Sequence, residues 1–190
     1  MDASRSSCYP FAVTLSNYIP HYTLEDYERW EGDWELWSGV PVAMSPSPGM
    51  EHQLLSGRLL RQVSERLEGA GCGDCLVVHD LDWRVANDTV LRPDLQILCG
   101  HPPTAFVTET PKMVVEILSD STRQRDLLYK REIYGKLGVP YYLIVDPRSR
   151  QCTLLRLDGQ EYLESPTPTV LNLDSDCQID LDLSGLFSQR

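Results

Sequence analysis

Apolar and polar positions follow two different periods along the chain, and the clearest change of period lies between Met113 and Asp146. Met113 to Leu118 is a short, apolar, β-rich run interrupted by one charge, Glu116. Ser119 to Thr122 then supplies Ser, Asp and Thr, whose side-chain oxygens cap the free N–H groups that open a helix. From about Thr122 to Leu137, the positions Leu127, Lys130, Tyr134 and Leu137 recur at three- and four-residue steps. That spacing predicts one face of a helix, with Lys130 on its inward stripe. Gly138 marks the stop, Pro140 confirms it, and Tyr141 to Val145 reads as a second strand. A crossover of this length between two buried strands predicts a parallel βαβ unit.

The remaining pattern fills in around that unit. Residues 1–20 show little periodicity and read as an arm, which leaves residues 21–190 as one domain. Thr23 with Asp26 three positions later is an approximate capping box opening a short helix that continues to Trp30. Trp34 to Met44 alternates around Ser38 and Gly39 and predicts a hairpin. After SPSPG, a helix from about Glu51 to Leu67 turns His52, Leu55, Leu59, Val63 and Leu67 inward. Leu76 to Val85 alternates as one strand, its polar face carrying Asp80 and Asp82. Thr153 to Leu157 and Gln160 to Leu163 flank Asp158 and Gly159, a strong hairpin signal. VLNL and LDLSGLF near the end are short apolar patches that pack back on the domain. The expected architecture is α/β: a mixed central β-sheet flanked by helices, with an N-terminal β-hairpin and an acid-lined cleft.

The cleft follows from two charges in apolar runs. An unpaired Glu116 on a buried strand would cost on the order of several kcal/mol, so it needs a partner. In VLRPDLQIL, Asp94 follows Pro93, which places it at the start or edge of a strand. It precedes Glu116 by few enough residues for neighbouring strands joined through Gly100 to Thr104. Two carboxylates on adjacent strands repel unless a cation or proton lies between them, and Mg²⁺ is commonly held by one or two carboxylates while keeping several waters. Lys130 has two readings, an ammonium that snorkels to water or one that reaches the acid pair.

Composition narrows the function. With 190 residues, 42% of them hydrophobic and 24% charged, the chain can build one domain with a real core. No apolar run approaches the roughly 20 residues that span a bilayer and the N-terminus lacks a signal-peptide pattern, so a cytoplasmic location is expected. Six cysteines, at positions 8, 72, 75, 99, 152 and 177, are then expected as reduced thiols. Cys72 and Cys75 form a CxxC that no second CxxC follows, which favours a Gly-rich turn over zinc or dithiol chemistry. A formal charge of −11 opposes a surface that grips DNA unless basic residues cluster locally. Arg123, Arg125, Lys130, Arg131 and Lys136 do cluster on the central helix, and Arg58, Arg61 and Arg66 on another; ordinary solvated helix faces are the competing reading.

RPDLQIL, VVEILSDST, Asp126 with Lys130, YGKLGVPYYLIVDP and, upstream, WELWSGVPVAMSPSPGMEHQLL together resemble the restriction-endonuclease family widespread in cyanobacteria and other bacteria, within the PD-(D/E)XK nuclease superfamily. The resemblance covers roughly Tyr22 to Tyr162. It implies a restriction-endonuclease-like fold and metal-dependent hydrolysis of phosphodiester bonds, in DNA, with Asp94, Glu116 and the backbone carbonyl of Ile117 holding Mg²⁺ or Mn²⁺. The superfamily lysine stands two residues after the second acid, where this chain has Leu118. The resemblance implies a lysine relocated to the following helix, and Lys130 is the candidate, orienting the attacking water. It also makes Glu35 a candidate outer carboxylate. His52 is a core or capping histidine, or else a metal ligand or phosphate contact; Arg123 and Arg125 are candidate substrate-binding residues. A homodimer is expected by analogy with enzymes that cut two strands. The alternatives are a catalytically inactive nuclease-like binding or regulatory module, or a hydrolase of a smaller phosphorylated substrate.

Overall fold

A computed structural model describes residues 20–44, 49–100, 105–120 and 123–188; the arm expected over residues 1–20 lies outside them except for Pro20. A six-stranded sheet forms the middle of the molecule, in the order β10 (Glu161–Ser165), β9 (Gln151–Asp158), β8 (Tyr141–Asp146), β7 (Met113–Ile117), β6 (Leu95–Cys99) and β3 (Cys75–His79). Its one parallel pair is β7 with β8, the predicted βαβ unit, and every other neighbour is antiparallel. Beside it, a four-stranded sheet runs β2 (Val40–Ala43), β1 (Trp34–Trp37), β5 (Thr89–Leu91) and β4 (Trp83–Ala86). The β1–β2 hairpin turns on Ser38 (φ 47°) and Gly39 (φ 79°), and a Cβ at Gly39 would lie 2.1 Å from His21 Nδ1. The positive φ favours glycine at position 39, and a side chain there would also have to displace the exposed His21 ring.

Each face of the large sheet has its own cover. On one side, Leu55, Leu59, Val63 and Leu67 of α2 (Met50–Gly69) pack on Leu95, Ile97, Met113, Val115, Ile117 and Leu143. The C-terminal patches join this core as a hairpin of β11 (Thr169–Asp174) and β12 (Cys177–Leu181), burying Leu171, Leu173, Ile179 and Leu181, with Leu183 and Leu186 following. On the other side, Trp83, Leu91, Val114, Leu118, Tyr134, Tyr142 and Tyr162 form a second, aromatic-rich core. A short helix α1 (Leu24–Tyr27) opens with the expected Thr23–Asp26 capping box.

Three local expectations are corrected. The single strand over Leu76 to Val85 is two strands in different sheets, because Asp80 takes a left-handed backbone (φ 48°) and its N–H donates to the Asp94 carbonyl at 3.3 Å. A short polar residue tolerates that conformation, so the chain turns a corner that the alternation hides. The crossover helix is not uniformly α-helical: Arg125–Lys130 is a π-helical segment, followed by α3 (Arg131–Lys136). The wider turn rotates Asp126 into the interior and leaves Leu127 only half-buried. Finally, Cys72 pairs with Cys177 and Cys75 with Cys99, so four of the cysteines expected as thiols are disulfides, while Cys152 is free. Spacing along the chain carries no signal for these pairs, since the CxxC cysteines bond outward rather than to each other.

The Cys72–Cys177 bridge spans 105 residues and fastens the end of α2 to β12. Cys72→Ser is expected to lower stability to urea by about 2–5 kcal/mol, and unreduced peptide mapping by mass spectrometry should return both pairs. Recovery of Cys72, Cys75, Cys99 and Cys177 as free thiols would contradict the pairing.

Candidate functional site

Alternation along β7 decides where its charge points. Met113, Val115 and Ile117 belong to the α2 core, so Val114, Glu116 and Leu118 face the aromatic core on the opposite side. Glu116 is 3% exposed there, against the π-helical segment and α3. Lys130 Nζ donates to Glu116 Oε1 at 2.8 Å, and the Tyr134 hydroxyl donates to the same oxygen at 2.5 Å. The ammonium also lies 3.3 Å from Glu35 Oε1 and 3.9 Å from Asp126 Oδ1. Lys130 is 5% exposed and does not snorkel; its charge ends among the acids.

Asp94 stands immediately before β6, whose Leu95 pairs with Val115, so the register sets Asp94 beside Glu116. Its Oδ2 accepts the Ile117 N–H at 2.6 Å and lies 3.1 Å from His52 Nε2 at the start of α2. Burial alone would lower the His52 pKa, but the hydrogen bond and charge of Asp94 outweigh it and hold it above its ordinary value. His52 Nδ1 is buried and has no hydrogen-bond partner among the described residues. Asp94, Glu116, Lys130 and His52 are thus brought to one end of the large sheet.

The other candidates are placed around this group. Glu35, in β1, accepts the Arg92 backbone N–H at 2.7 Å through the oxygen that also faces Lys130, which ties the hairpin to the turn leading into Asp94. The Arg92 side chain holds Asp82 (2.7 Å) and Asp33 (2.8 Å), so Asp82 is committed away from the acid group. Tyr27 also donates to Asp82, and burial, with the charge of Asp82, pushes its pKa up to about 12. Arg123 pairs with Asp146 at 2.6 Å and Arg125 donates to the Ala43 carbonyl at 2.9 Å, so both flank the acids and neither touches them. Two members of the group were given no site role from the sequence, although Asp126 with Lys130 is part of the resemblance. Tyr134 looked like packing on the stripe. Asp126 carried a usable signal, an acid four residues before Lys130.

Electrostatics follow from one ammonium serving several carboxylates. Burial raises the Glu116 pKa well above its ordinary value; Lys130 lowers it, and Asp126, Asp94 and Glu35 raise it further. Burial pushes Lys130 towards losing its proton, but Glu116, Glu35 and Asp126 outweigh that and hold it charged. The two directions agree: Lys130 stays an ammonium, and any extra proton taken up belongs to the acids, which titrate as a coupled group. Burial, then the Glu116 charge, raises Tyr134 well above an ordinary phenol, so it is a neutral donor.

No three His, Cys, Asp or Glu side chains among the described residues stand as a preformed metal cage. The hydrogen bonds to Glu116 nevertheless all fall on Oε1 and those to Asp94 on Oδ2, so Glu116 Oε2 and Asp94 Oδ1 accept none from the described residues. Carboxylate oxygens without hydrogen-bond donors are the ligand type that a hard cation keeping its own waters takes.

The Uma2 family model, described as a putative restriction endonuclease, matches residues 24–184. This chain belongs to the Uma2 family. No curated protein matches it. Among solved structures, the crystal structure of a putative nuclease from Anabaena variabilis ATCC 29413 superposes with a TM-score of 0.67 over 87% of this chain and 97% of that one, at 17% identity. At that identity the likeness is one of fold: a mixed α/β, nuclease-like architecture. No described helix is long and apolar enough to cross a membrane.

A raised Glu116 pKa means that the fold favours the protonated acid. Its contribution to stability is complete below the ordinary value of 4.5 and is lost as pH rises through the folded-state pKa. Glu116→Gln should therefore melt higher than wild type at pH 7.5 without divalent cations, by about 2–4 °C for each kcal/mol of crowding removed. The gain should vanish towards acid pH. An equal or lower melting temperature for the variant at pH 7.5 would contradict this account.

Proposed function

We propose that this Uma2-family protein is a divalent-metal-dependent nuclease that hydrolyses phosphodiester bonds in DNA. The observation that carries the reading is the Lys130 ammonium 2.8 Å from Glu116, reaching from the helix to the acid where Leu118 leaves the strand without a lysine. Asp94 and Glu116 would hold Mg²⁺ or Mn²⁺ through their unused oxygens, together with the Ile117 carbonyl. Bound there, the cation supplies an acidified water and stabilises charge on the phosphate. His52 holds Asp94 in place through Oδ2. Lys130, kept charged by its acids, acts as a hydrogen-bond donor that orients the attacking water and is no general base. The expected cytoplasmic location follows the DNA, and both disulfides would then face a reducing pool. A homodimer is the assembly proposed for cutting two strands, and sedimentation velocity measures it.

One observation favours the inactive-module alternative: Arg123 and Arg125, the candidate phosphate contacts, already have partners in Asp146 and Ala43. Phosphate would have to displace those partners, whereas a module needs no such exchange.

Calorimetry with Mn²⁺ tests the site: Asp94→Ala and Glu116→Ala should each abolish or greatly weaken the binding seen in wild type, and undiminished binding in both would place the cation elsewhere. Lys130→Met tests the chemistry. Without its ammonium Glu116 loses its buried ion-pair partner, so the metal-free variant should lose about 3–5 kcal/mol of stability. Assayed below its melting temperature with Mg²⁺ or Mn²⁺ on plasmid and single-stranded DNA, it should cleave about 10²-fold or more slowly. Full activity would remove Lys130 from the mechanism, and a wild type that cuts neither substrate would favour the module.

A further inference from the structure

Glu116 has two donors on one oxygen. A carboxylate oxygen offers two lone pairs, and Lys130 Nζ and Tyr134 Oη, at 2.8 and 2.5 Å, use both on Oε1. The Tyr134 ring is fully buried, stacked on Trp83 (centroids 6.3 Å apart, planes 20°) and edge-on to Tyr142 (5.3 Å, 74°), so the phenol is held in direction. Tyr142, its neighbour in the same aromatic core, donates instead to the backbone carbonyl of Asp126 at 2.8 Å. Lys130 taken alone would not fix the carboxylate. The terminal torsion of a glutamate is broad, and an ammonium with three N–H groups can straddle both oxygens. In that arrangement the internal cation would cover Oε2, the oxygen a metal needs.

We propose that Tyr134 is a positioning residue of the nuclease site: its hydroxyl locks Glu116 with Oε1 towards Lys130, so that Oε2 stays open to a divalent cation and Lys130 keeps an N–H for the attacking water. The inference rests on the metal-dependent reading above and adds to it a residue that touches neither metal nor substrate. It also explains why a buried tyrosine donates to a buried acid that already has a lysine.

Tyr134→Phe removes one oxygen and keeps the ring, and Tyr142→Phe does the same to the neighbour whose hydroxyl donates to the Asp126 carbonyl and not to Glu116. By calorimetry, Tyr134→Phe should bind Mn²⁺ about 10- to 100-fold more weakly than wild type, with Tyr142→Phe within about twofold. High Mn²⁺ should restore most of the cleavage rate of Tyr134→Phe, since the loss is one of affinity. A merely structural tyrosine would lower the melting temperature and leave Mn²⁺ affinity untouched. Wild-type affinity in Tyr134→Phe, or equal weakening in both variants, overturns the inference while leaving the nuclease reading in place. A wild type that binds no Mn²⁺ overturns both. Should Tyr134→Phe fail to fold, near-ultraviolet absorbance of wild type decides: Mn²⁺ should perturb a tyrosine signal that saturates with the calorimetric affinity, and a flat titration overturns the inference.

Discussion

A single ammonium shared among buried carboxylates is the constraint on which this structure turns. Lys130 arrives from the crossover helix, Glu116 from the central strand, Glu35 from the N-terminal hairpin and Asp126 from one turn earlier in the same helix. Removing the shared ammonium would leave buried carboxylates facing one another where water does not reach, at a cost of about 3–5 kcal/mol. The hairpin, the helix and the sheet are therefore held in register by electrostatics as well as by packing. The π-helical turn belongs to this arrangement, because it brings Asp126 inward on the face that carries Lys130. Glu35 extends the network by holding the Arg92 backbone, and so the turn that presents Asp94.

The proposed cation site draws on the same group of charges. Lys130 is shared among Glu116, Glu35 and Asp126, and Asp94 with His52 lies alongside. Burial first, and then the neighbouring Asp126, Asp94 and Glu35, hold the Glu116 pKa well above its ordinary value despite Lys130. A divalent cation would relieve that crowding at the two unused oxygens without displacing Lys130. This also bears on a chain of formal charge −11 meeting a polyanion. The described arginines flanking the site are tied to internal acceptors, so in the proposed reaction neutralisation of phosphate would fall largely to the cation, with Arg123 and Arg125 exchanging partners on contact.

Much of this frame was legible along the chain, for identifiable reasons. Period-two runs and glycine turns announce the β1–β2 and β9–β10 hairpins, and the strand–helix–strand pattern announces the parallel β7–β8 pair. A charge in each of two apolar runs announces that Asp94 and Glu116 meet. The pair was expected to need a cation between its members; in the structure Lys130 of the chain itself stands against Glu116, and Asp94 faces His52. What stayed hidden depends on geometry that no period encodes. The corner at Asp80 requires one left-handed residue inside an otherwise regular alternation. The π-turn exchanges Asp126 for Leu127 at the interior, and Tyr134 shows its polar role only once its hydroxyl is seen on Glu116. The disulfides join residues as far apart as Cys72 and Cys177, brought together only by the docking of the C-terminal hairpin on α2.

A crystal of the wild-type protein soaked in Mn²⁺ and measured at a wavelength where manganese scatters anomalously tests the central claim most directly. The account predicts one strong anomalous peak bonded to Asp94 and Glu116 through Oδ1 and Oε2, with the Lys130–Glu116 hydrogen bond intact. A peak bound elsewhere, an ammonium displaced from Glu116 by the metal, or a fully soaked crystal with no peak at these acids would contradict it.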